Sequence, residues 1–400
     1  MNEANNTSPL KVLYVTHNYI RHKGDFAGVF LHLLARKLKE KNIEIHVVAP
    51  HDAGLSEFEE IDGIKIYRFR YADDDNETFA YRGDMHRQLF KNPFKIFRLL
   101  KFLNESFKLA CKIIDRENIN VANIHWMVPN GIVAKKLAKK YNKGLSLFIS
   151  SHGTDVRILT KFPMLFSYLK PAAKASKQWI VVSSFLKKMI TAKDISLEEK
   201  IKVVSLPNDE TLFYPDSNIH KKKNLIVSVS RHTVQKRLLY LVKAIKIVKD
   251  SIPDINVEIY GDGPERDKLA GLISELNLEN NIALLNPVPQ IDLKNIYNKA
   301  SAVVLNSYEE GFGLALTEAM LCETAVVGTD SGGITDIIDN NETGLLVPLD
   351  NEQKLADAVI MILSDENLRK KLAESGYQKA RAKFSAESSA NQYARLYNQA

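Results

Sequence analysis

The sequence predicts an α/β protein built from two doubly wound parallel-sheet (Rossmann-like) domains facing across a cleft. Three observations carry that reading. Apolar runs of strand length alternate with amphipathic helical stretches along nearly the whole chain, the pattern of parallel strands joined by crossover helices. The chain has 400 residues, more than one core usually serves. The alternation is broken once, by Pro207 and the polar, lysine-rich stretch Asp216–Asn224, and then starts afresh. The expected domains are therefore residues 1–215 and 216–383, with a terminal helix over about 384–400 that can cross back to the first domain.

Composition narrows the class. With 45% hydrophobic and 26% charged residues, the chain reads as a soluble globular protein. A net charge of +7 favours anionic partners such as nucleotides or an acidic membrane surface, and no nucleic-acid module accompanies it. Cys111 and Cys322 lie far apart in apolar helical contexts and suggest neither a disulfide framework nor a metal cluster. The polar N-terminus lacks the apolar core of a signal peptide, and no run of about twenty apolar residues is present. A cytoplasmic protein is expected, either free or peripheral on the inner face of the cell membrane.

In chain order, Lys11–Asn18 reads as a buried strand, Phe26–Asn42 as an amphipathic helix and Ile43–Pro50 as the next strand. The loop between them carries Gly24 and Gly28, which can relieve crowding where a substrate meets the backbone. Gly63–Tyr71 alternates like a strand with one polar face. Asp73 and Asp75 follow in an Asp-x-Asp spacing that can hold a divalent cation but reads more simply as a solvated loop, so no metal site is expected.

Residues 80–115 form a helical region in which Arg82, Arg87, Lys91, Lys95, Arg98 and Lys101 interleave with Phe90, Phe94, Phe97 and Phe102. A basic, aromatic amphipathic helix suits an anionic lipid surface, and the alternative is an ordinary helix with its aromatics in the core.

Val121–Trp126 and Leu145–Ser150 are strands around the helix Gly131–Tyr141. His125 and His152 therefore end parallel-type strands, at the edge where open α/β sheets place ligands. His152 is followed by Gly153 and by Asp155, an acid able to orient it.

In the second half, Leu225–Arg231, Ile255–Tyr260 and Ser301–Ser307 read as strands with helices between them. The first of these ends in a loop holding Arg231 and Lys236. The guanidinium fork and the compact ammonium can together balance charge growing on a departing diphosphate, in place of a metal ion. After Ser307 a loop with Gly311 and Gly313 opens an apolar helix, the punctuation of an anion-binding turn. Glu310 and Glu318 bracket it with seven residues between them. Carboxylates repel phosphate and accept hydrogen bonds from hydroxyls, so a ligand with both sugar and phosphate suits both features. Gly261-Asp262-Gly263-Pro264 and Asp330–Gly333 are turns expected along the same edge.

The stretch EGFGLALTE, with Glu310 and Glu318 at its ends, resembles the E-x7-E signature of the large group 1, family 4 glycosyltransferases, which are retaining enzymes of the GT-B fold. The resemblance spans nearly the whole chain. His152–Asp155 is similar to the family's His-Gly-x-Asp segment, Val182–Lys187 to its Val-Ser-x-Tyr-Leu-Lys segment, and Gly261–Arg266 to its GDGPER turn; Arg231 and Lys236 match its Arg and Lys. Departures are Ser230 and Arg237 in place of glycines, Asn306 in place of a proline, and Asn208-Asp209-Glu210-Thr211 where Asn-Gly-Val-Asp is usual.

The resemblance implies a retaining hexosyltransferase using a nucleotide-diphosphate sugar such as a UDP- or GDP-sugar, with no cofactor and no obligatory metal. It implies a saccharide or lipid-linked acceptor in surface polysaccharide or glycolipid assembly. Catalysis would fall to His152, Glu310, Arg231 and Lys236. The donor would be held by Arg231, Lys236, Glu310, Glu318 and the backbone of Phe312, Gly313, Leu314 and Ala315. The acceptor or sugar pocket would draw on Gly24, Gly28, His125 and Asp155. Two other readings stay open on the same fold: a nucleotide-sugar-binding inactive partner subunit, and an isomerase or phosphorylase.

Overall fold

A computed structural model describes residues 9–400 apart from 82–84, 86, 87, 89–91 and 93, with the backbone alone at residue 143. Two compact units emerge. The first comprises Met1–Val182, Leu186–Val204 and Ser389–Ala400, and the second Ser183–Phe185 and Ser205–Ser388.

The first unit is built on an eight-stranded sheet in the order β3-β4-β2-β1-β5-β6-β7-β8. Its strands are β1 (Leu10–Val15), β2 (Ile43–Pro50), β3 (Phe58–Ile61), β4 (Ile64–Phe69), β5 (Val121–His125), β6 (Ser146–Ser151), β7 (Gln178–Val181) and β8 (Ile201–Val203). All pair in parallel except β3, which forms an antiparallel edge hairpin with β4 that the apolar pattern did not signal because only Ile61 of its four residues is buried. Val12 lies opposite both Ile45 and Val121, so β1 is central and its apolar run Val12–Val15 is closed to water on both faces. The chain leaves β1 in one direction to β2 and β4 and returns on the other side to β5. That reversal puts the topological switch between the carboxyl ends of β1 and β5, the position at which open α/β sheets place their ligands.

The end of the chain is part of this unit. Tyr393 and Tyr397, in the helix Ala386–Asn398, pack into the first core. The Asn123 side-chain amide donates to the Tyr397 hydroxyl at 2.7 Å, and the Ser150 hydroxyl donates to the side-chain oxygen Asn123 Oδ1 at 3.0 Å. A buried polar chain of this kind tolerates one register only, since a slip strands every member without a partner.

The second unit has a six-stranded parallel sheet in the order β11-β10-β9-β12-β13-β14. Here β9 is Leu225–Val229, β10 Asn256–Tyr260, β11 Ile282–Leu285, β12 Ala302–Leu305, β13 Ala325–Thr329 and β14 Leu345–Val347. Its switch point lies between β9 and β12. The loop after β9 holds Arg231 and Lys236, and the loop after β12 holds Glu310, so the topology alone brings these groups to one edge.

The chain passes into the second unit at Ser205 rather than near residue 215. The physical reason is packing. The Asn208 amide donates to the Phe384 carbonyl at 2.8 Å, and Phe213 stacks on Tyr297 with centroids 5.9 Å apart. The lysine-rich stretch read as a linker is also tied down, because the Lys221 ammonium donates to the carbonyls of Asn298 and Ala300 and to the Thr324 hydroxyl. Burial lowers its pKa to about 8. Both cysteines are buried and free. Among the described residues, no helix is long and apolar enough to cross a membrane.

Candidate active site

In the second unit the loops after β9 and β12 are bolted together before any ligand arrives. The Tyr308 N–H donates to the Gln235 carbonyl at 2.8 Å, and the Gln235 amide donates to the Glu309 carbonyl at 3.3 Å. Lys236 Nζ donates to Glu310 Oε2 at 2.5 Å, with both side chains about 15% exposed. Burial alone would raise the Glu310 pKa, yet the Lys236 cation, helped by hydrogen bonds from Ser307 and the Gly311 N–H, leaves the carboxyl below its ordinary value. Arg231 projects from the same loop, exposed and with no ion-pair partner among the described residues. One cation is therefore neutralised by the acid beside it and the other is free for an anion.

Gly313 caps the helix Leu314–Leu321 at φ 119°, a conformation that a side chain opposes. Phe312 is buried, with its ring edge-on to Phe384 at 5.8 Å between centroids. The turn Asp330–Gly333 packs on the backbone of the Glu310 loop. The Gly333 N–H donates to the Glu310 carbonyl at 2.7 Å, and a Cβ at Gly332 would stand 2.4 Å from Glu310 N. These glycines serve close backbone approach rather than a ligand. The GDGPER turn likewise backs the Arg231 loop: the His232 N–H donates to the Asp262 carbonyl, and the Arg266 guanidinium donates to the carbonyls of Gly261 and Leu284.

Glu318 lies in the helix Leu314–Leu321 and is only 7% exposed. Its carboxyl accepts from the Tyr297 hydroxyl at 3.0 Å and from the Gln290 amide at 3.3 Å. Burial lifts its pKa to about 7, because these two neutral donors offset only part of the desolvation. Sequence reasoning missed both partners. The signal was present, since Gln290 and Tyr297 stand seven residues, or two turns, apart on one face of the helix Gln290–Lys299.

In the first unit the structure brings together His17, His125, Trp126, His152 and Phe30 at the carboxyl edge of β1, β5 and β6. His125 Nδ1 lies 3.1 Å from His152 Nε2, with the two rings within 10° of parallel. The His152 ring is boxed by Trp126 at 4.4 Å and Phe30 at 5.0 Å between centroids. Trp126 adopts φ 61°, a left-handed conformation rare for so bulky a residue and typical of sites held by their surroundings. Burial pushes the His152 pKa down to about 3 and that of His17 to about 4, so both are neutral near pH 7.

Asp155 does not orient the His152 ring. Its carboxylate is buried and accepts the backbone N–H groups of Met127, His152 and Gly153 at 2.8, 3.1 and 3.1 Å. It caps the backbone that carries His152 and faces no solvent. Gly28 is likewise structural, because a Cβ there would lie 2.7 Å from the Asn18 carbonyl of its own loop. Gly24, at φ 84°, has open space around it. That loop is closed from within by Arg21, whose guanidinium meets both oxygens of Asp25.

Among the described residues, the group of close metal-type ligands is His51, Asp74 and Glu77, with ligand atoms within 4.8 Å of one another, and it includes neither Asp73 nor Asp75. Each is engaged: His51 Nδ1 is 2.5 Å from Glu77 and its Nε2 is on the Leu55 carbonyl, while Asp74 pairs with Arg70.

Comparison with known proteins adds to this geometry. The family model described as glycosyltransferase family 4 matches residues 27–210, and that described as glycosyl transferases group 1 matches residues 209–379. The chain belongs to the group 1 glycosyltransferases. It is 25% identical over 329 residues to N-acetyl-alpha-D-glucosaminyl L-malate synthase of Bacillus anthracis, an alignment covering 80% of this chain and 84% of that protein. Among solved structures it resembles sucrose-phosphate synthase from Thermosynechococcus elongatus, with TM-score 0.80, 20% identity and 98% of each chain covered. It also resembles Anabaena HepE, solved in complex with UDP and glucose, with TM-score 0.70, 17% identity, and 98% of this chain and 100% of that one covered. Both likenesses are to the GT-B glycosyltransferase fold.

This glycosyltransferase departs from its family's pattern in a linked way. Arg237, where the family has glycine, keeps the glycine-like left-handed backbone at φ 51°. Its guanidinium meets Asp350 at 3.2 Å and lies over the Tyr308 ring at 5.5 Å. Asn306, which stands where the family has proline, donates to the Arg237 carbonyl at 3.2 Å. Two substitutions that look separate in sequence thus hold one loop.

Proposed function

We propose that this glycosyltransferase moves a hexose with retention from a nucleotide-diphosphate sugar, UDP- or GDP-linked, to an acceptor hydroxyl, without an obligatory metal. The observation that carries the reading is the Lys236–Glu310 pair beside the free Arg231 at the switch point of the second sheet. A diphosphate entering there competes with Glu310 for Lys236 and meets Arg231 directly. Glu310, released, accepts hydrogen bonds from sugar hydroxyls, and Glu318 accepts those of the ribose. HepE, with UDP and glucose bound, supports a uridine donor for a chain of this fold.

The chemistry follows from the charges. The bond between the anomeric carbon and the diphosphate oxygen breaks, and its electron pair leaves with the diphosphate, where Arg231 and Lys236 offset it. The acceptor oxygen bonds to the anomeric carbon on the same face, and its proton passes to the departing phosphate oxygen. Two-step retention would need a carboxylate free to attack, and Glu310, once released from Lys236, is committed to sugar hydroxyls.

We place the enzyme at the inner face of the cell membrane, acting on a saccharide or lipid-linked acceptor in surface polysaccharide or glycolipid assembly. The support is the start of the helix Lys95–Glu117, where Phe94 is 80% and Phe97 69% exposed beside Ile96, Leu100, Lys95, Arg98 and Lys101. Phe102 is in the core, while Arg82, Arg87, Phe90 and Lys91 lie outside the described residues.

A thermal-shift screen with UDP-, GDP- and ADP-sugars tests the donor, since a donor at 100 times its Kd stabilises by about 2.7 kcal/mol. NMR of the product then reads the anomer. An inverted product overturns retention, loss of turnover in EDTA overturns metal independence, and equal recovery from soluble and anionic-vesicle fractions at low salt overturns the membrane placement.

A further inference from the structure

We propose that the corner Phe162–Met164 is a second lipid contact, so that the helices over one face of the first sheet lie on an anionic bilayer with the carboxyl edge of that sheet turned toward the lipid. This deepens the membrane placement above, which uses the start of the helix Lys95–Glu117 alone, and it rests on that placement.

The topology sets the two contacts side by side. The connections from β4 to β5, from β5 to β6 and from β6 to β7 all run the same way along the sheet. Right-handed crossovers therefore put the helices Lys95–Glu117, Met127–Tyr141 and Pro163–Ala175 on one face, each starting toward the carboxyl edge. The middle helix packs against both others. Its Lys135 lies over the Tyr168 ring at 3.9 Å and its Lys136 over the Phe107 ring at 5.3 Å, so the three helices present one surface.

At the corner, the local sequence dictates what is exposed. Phe162 precedes a proline, which disfavours helical backbone; it is extended at φ −116° and ψ 93°, and it ends the helix Thr154–Lys161. The next helix buries Phe166 and Leu169. Met164 and Tyr168, four residues apart, fall on the other side and are 88% and 50% exposed, with Phe162 at 42%. The start of the helix Lys95–Glu117 repeats the pattern, with Phe94, Phe97 and Leu100 outward and Phe102 and Leu103 inward. Large hydrophobic side chains gathered in water on neighbouring elements mark a contact surface, whereas single ones do not.

Charge selects the occupant. Residues 95–104, 127–141 and 154–175 carry eleven Lys and Arg and a single acid, Asp155, which is buried. An anionic membrane meets both features, since its headgroups take the cations and its acyl boundary takes Met164, Phe162, Phe94 and Phe97. A soluble polyanion would use the charges and leave these side chains in water. Two contacts on separate helices also fix how the unit sits. They turn the carboxyl ends of β5 and β6, where Trp126 and His152 stand, toward an acceptor embedded in lipid.

The test places single cysteines on the full chain and labels them with an environment-sensitive dye. Cys111 and Cys322 are buried and free, which leaves the introduced thiol as the reactive one. Met164→Cys reports the corner and Phe97→Cys the first helix. Ile195→Cys reports the amino edge, because Ile195 is 69% exposed and opens the turn that leads into β8. With mixed phosphatidylglycerol–phosphatidylcholine vesicles, the dye in Met164→Cys and in Phe97→Cys should shift to the blue and the dye in Ile195→Cys should not. Pure phosphatidylcholine vesicles should give a much smaller shift. Met164→Ser should weaken partition to the mixed vesicles about tenfold and leave the melting temperature unchanged, because it alters an exposed side chain.

A blue shift in Phe97→Cys without one in Met164→Cys overturns the second contact and leaves the membrane placement standing. No shift in either overturns both. A shift in Ile195→Cys equal to that in Met164→Cys overturns the orientation. Vesicle binding that Met164→Ser leaves unchanged overturns insertion at the corner and marks a surface for soluble polyanions instead.

Discussion

Replacing Lys236 with methionine is the perturbation that most directly weighs the pair at the heart of the second unit. At 2.5 Å and an effective dielectric of about 20, the gross attraction is about 7 kcal/mol, most of it cancelled by the cost of taking both charges out of water. Removing one partner of a buried pair typically costs about 3–5 kcal/mol, and the residual exposure of both side chains trims this to about 2–4 kcal/mol. For a unit of this size that is a fall of about 5–15 °C in the apparent midpoint of the second unit's unfolding.

The pH dependence gives the sharper signature. In wild type Glu310 has a lowered pKa, so its contribution is present above the unfolded carboxyl value and is lost as pH falls through the folded one. Without Lys236, burial is left to raise that pKa, and the variant then loses stability as pH rises. The deficit relative to wild type should be largest at pH 7–8 and narrow toward pH 5. The double variant Lys236→Met with Glu310→Gln should recover most of the stability and none of the transfer, since it leaves no buried charge but lacks one of the two phosphate cations and the carboxylate that takes the sugar hydroxyls. Thermal unfolding at several pH values measures all of this. A deficit that is absent, or that does not change with pH, refutes the reasoning.

Three further outcomes are expected. Glu318→Gln should unfold like wild type near pH 4.5 and be more stable by up to about 3 kcal/mol above pH 7, because a raised carboxyl pKa costs stability as pH climbs from the unfolded value to about 7. Isothermal titration with UDP should show wild-type affinity rising through pH 7 and a weak, pH-independent affinity in the variant. Arg237→Gly should melt within about 3 °C of wild type, as relief of left-handed backbone strain offsets the lost contact with Asp350, whereas Arg237→Val should melt lower. Tyr397→Phe should lower first-unit stability by about 1–3 kcal/mol, read by urea unfolding, because it strands the Asn123 amide.

Much of this protein was written in its local pattern. Alternating apolar runs announced two parallel-sheet units, and strand ends named the edges where Arg231, Lys236, Glu310, His125 and His152 would gather. Such features are legible because they depend on neighbours within a few residues: a strand, a glycine turn, the first turn of a helix. Spacing also carried Glu310 and Glu318 to opposite ends of one loop and helix.

What the tertiary structure alone decided is how those groups spend their charges and protons. Lys236 and Glu310, 74 residues apart, neutralise each other. Burial lifts Glu318 to a pKa of about 7, against the opposing pull of hydrogen bonds from a tyrosine and a glutamine on another helix. Asp155, beside His152 in sequence, serves the backbone, while His125 on the adjacent strand meets the ring. The reason is physical. A titratable group's state depends on desolvation and on the few polar atoms within about 3 Å of it, and packing selects those atoms from distant parts of the chain.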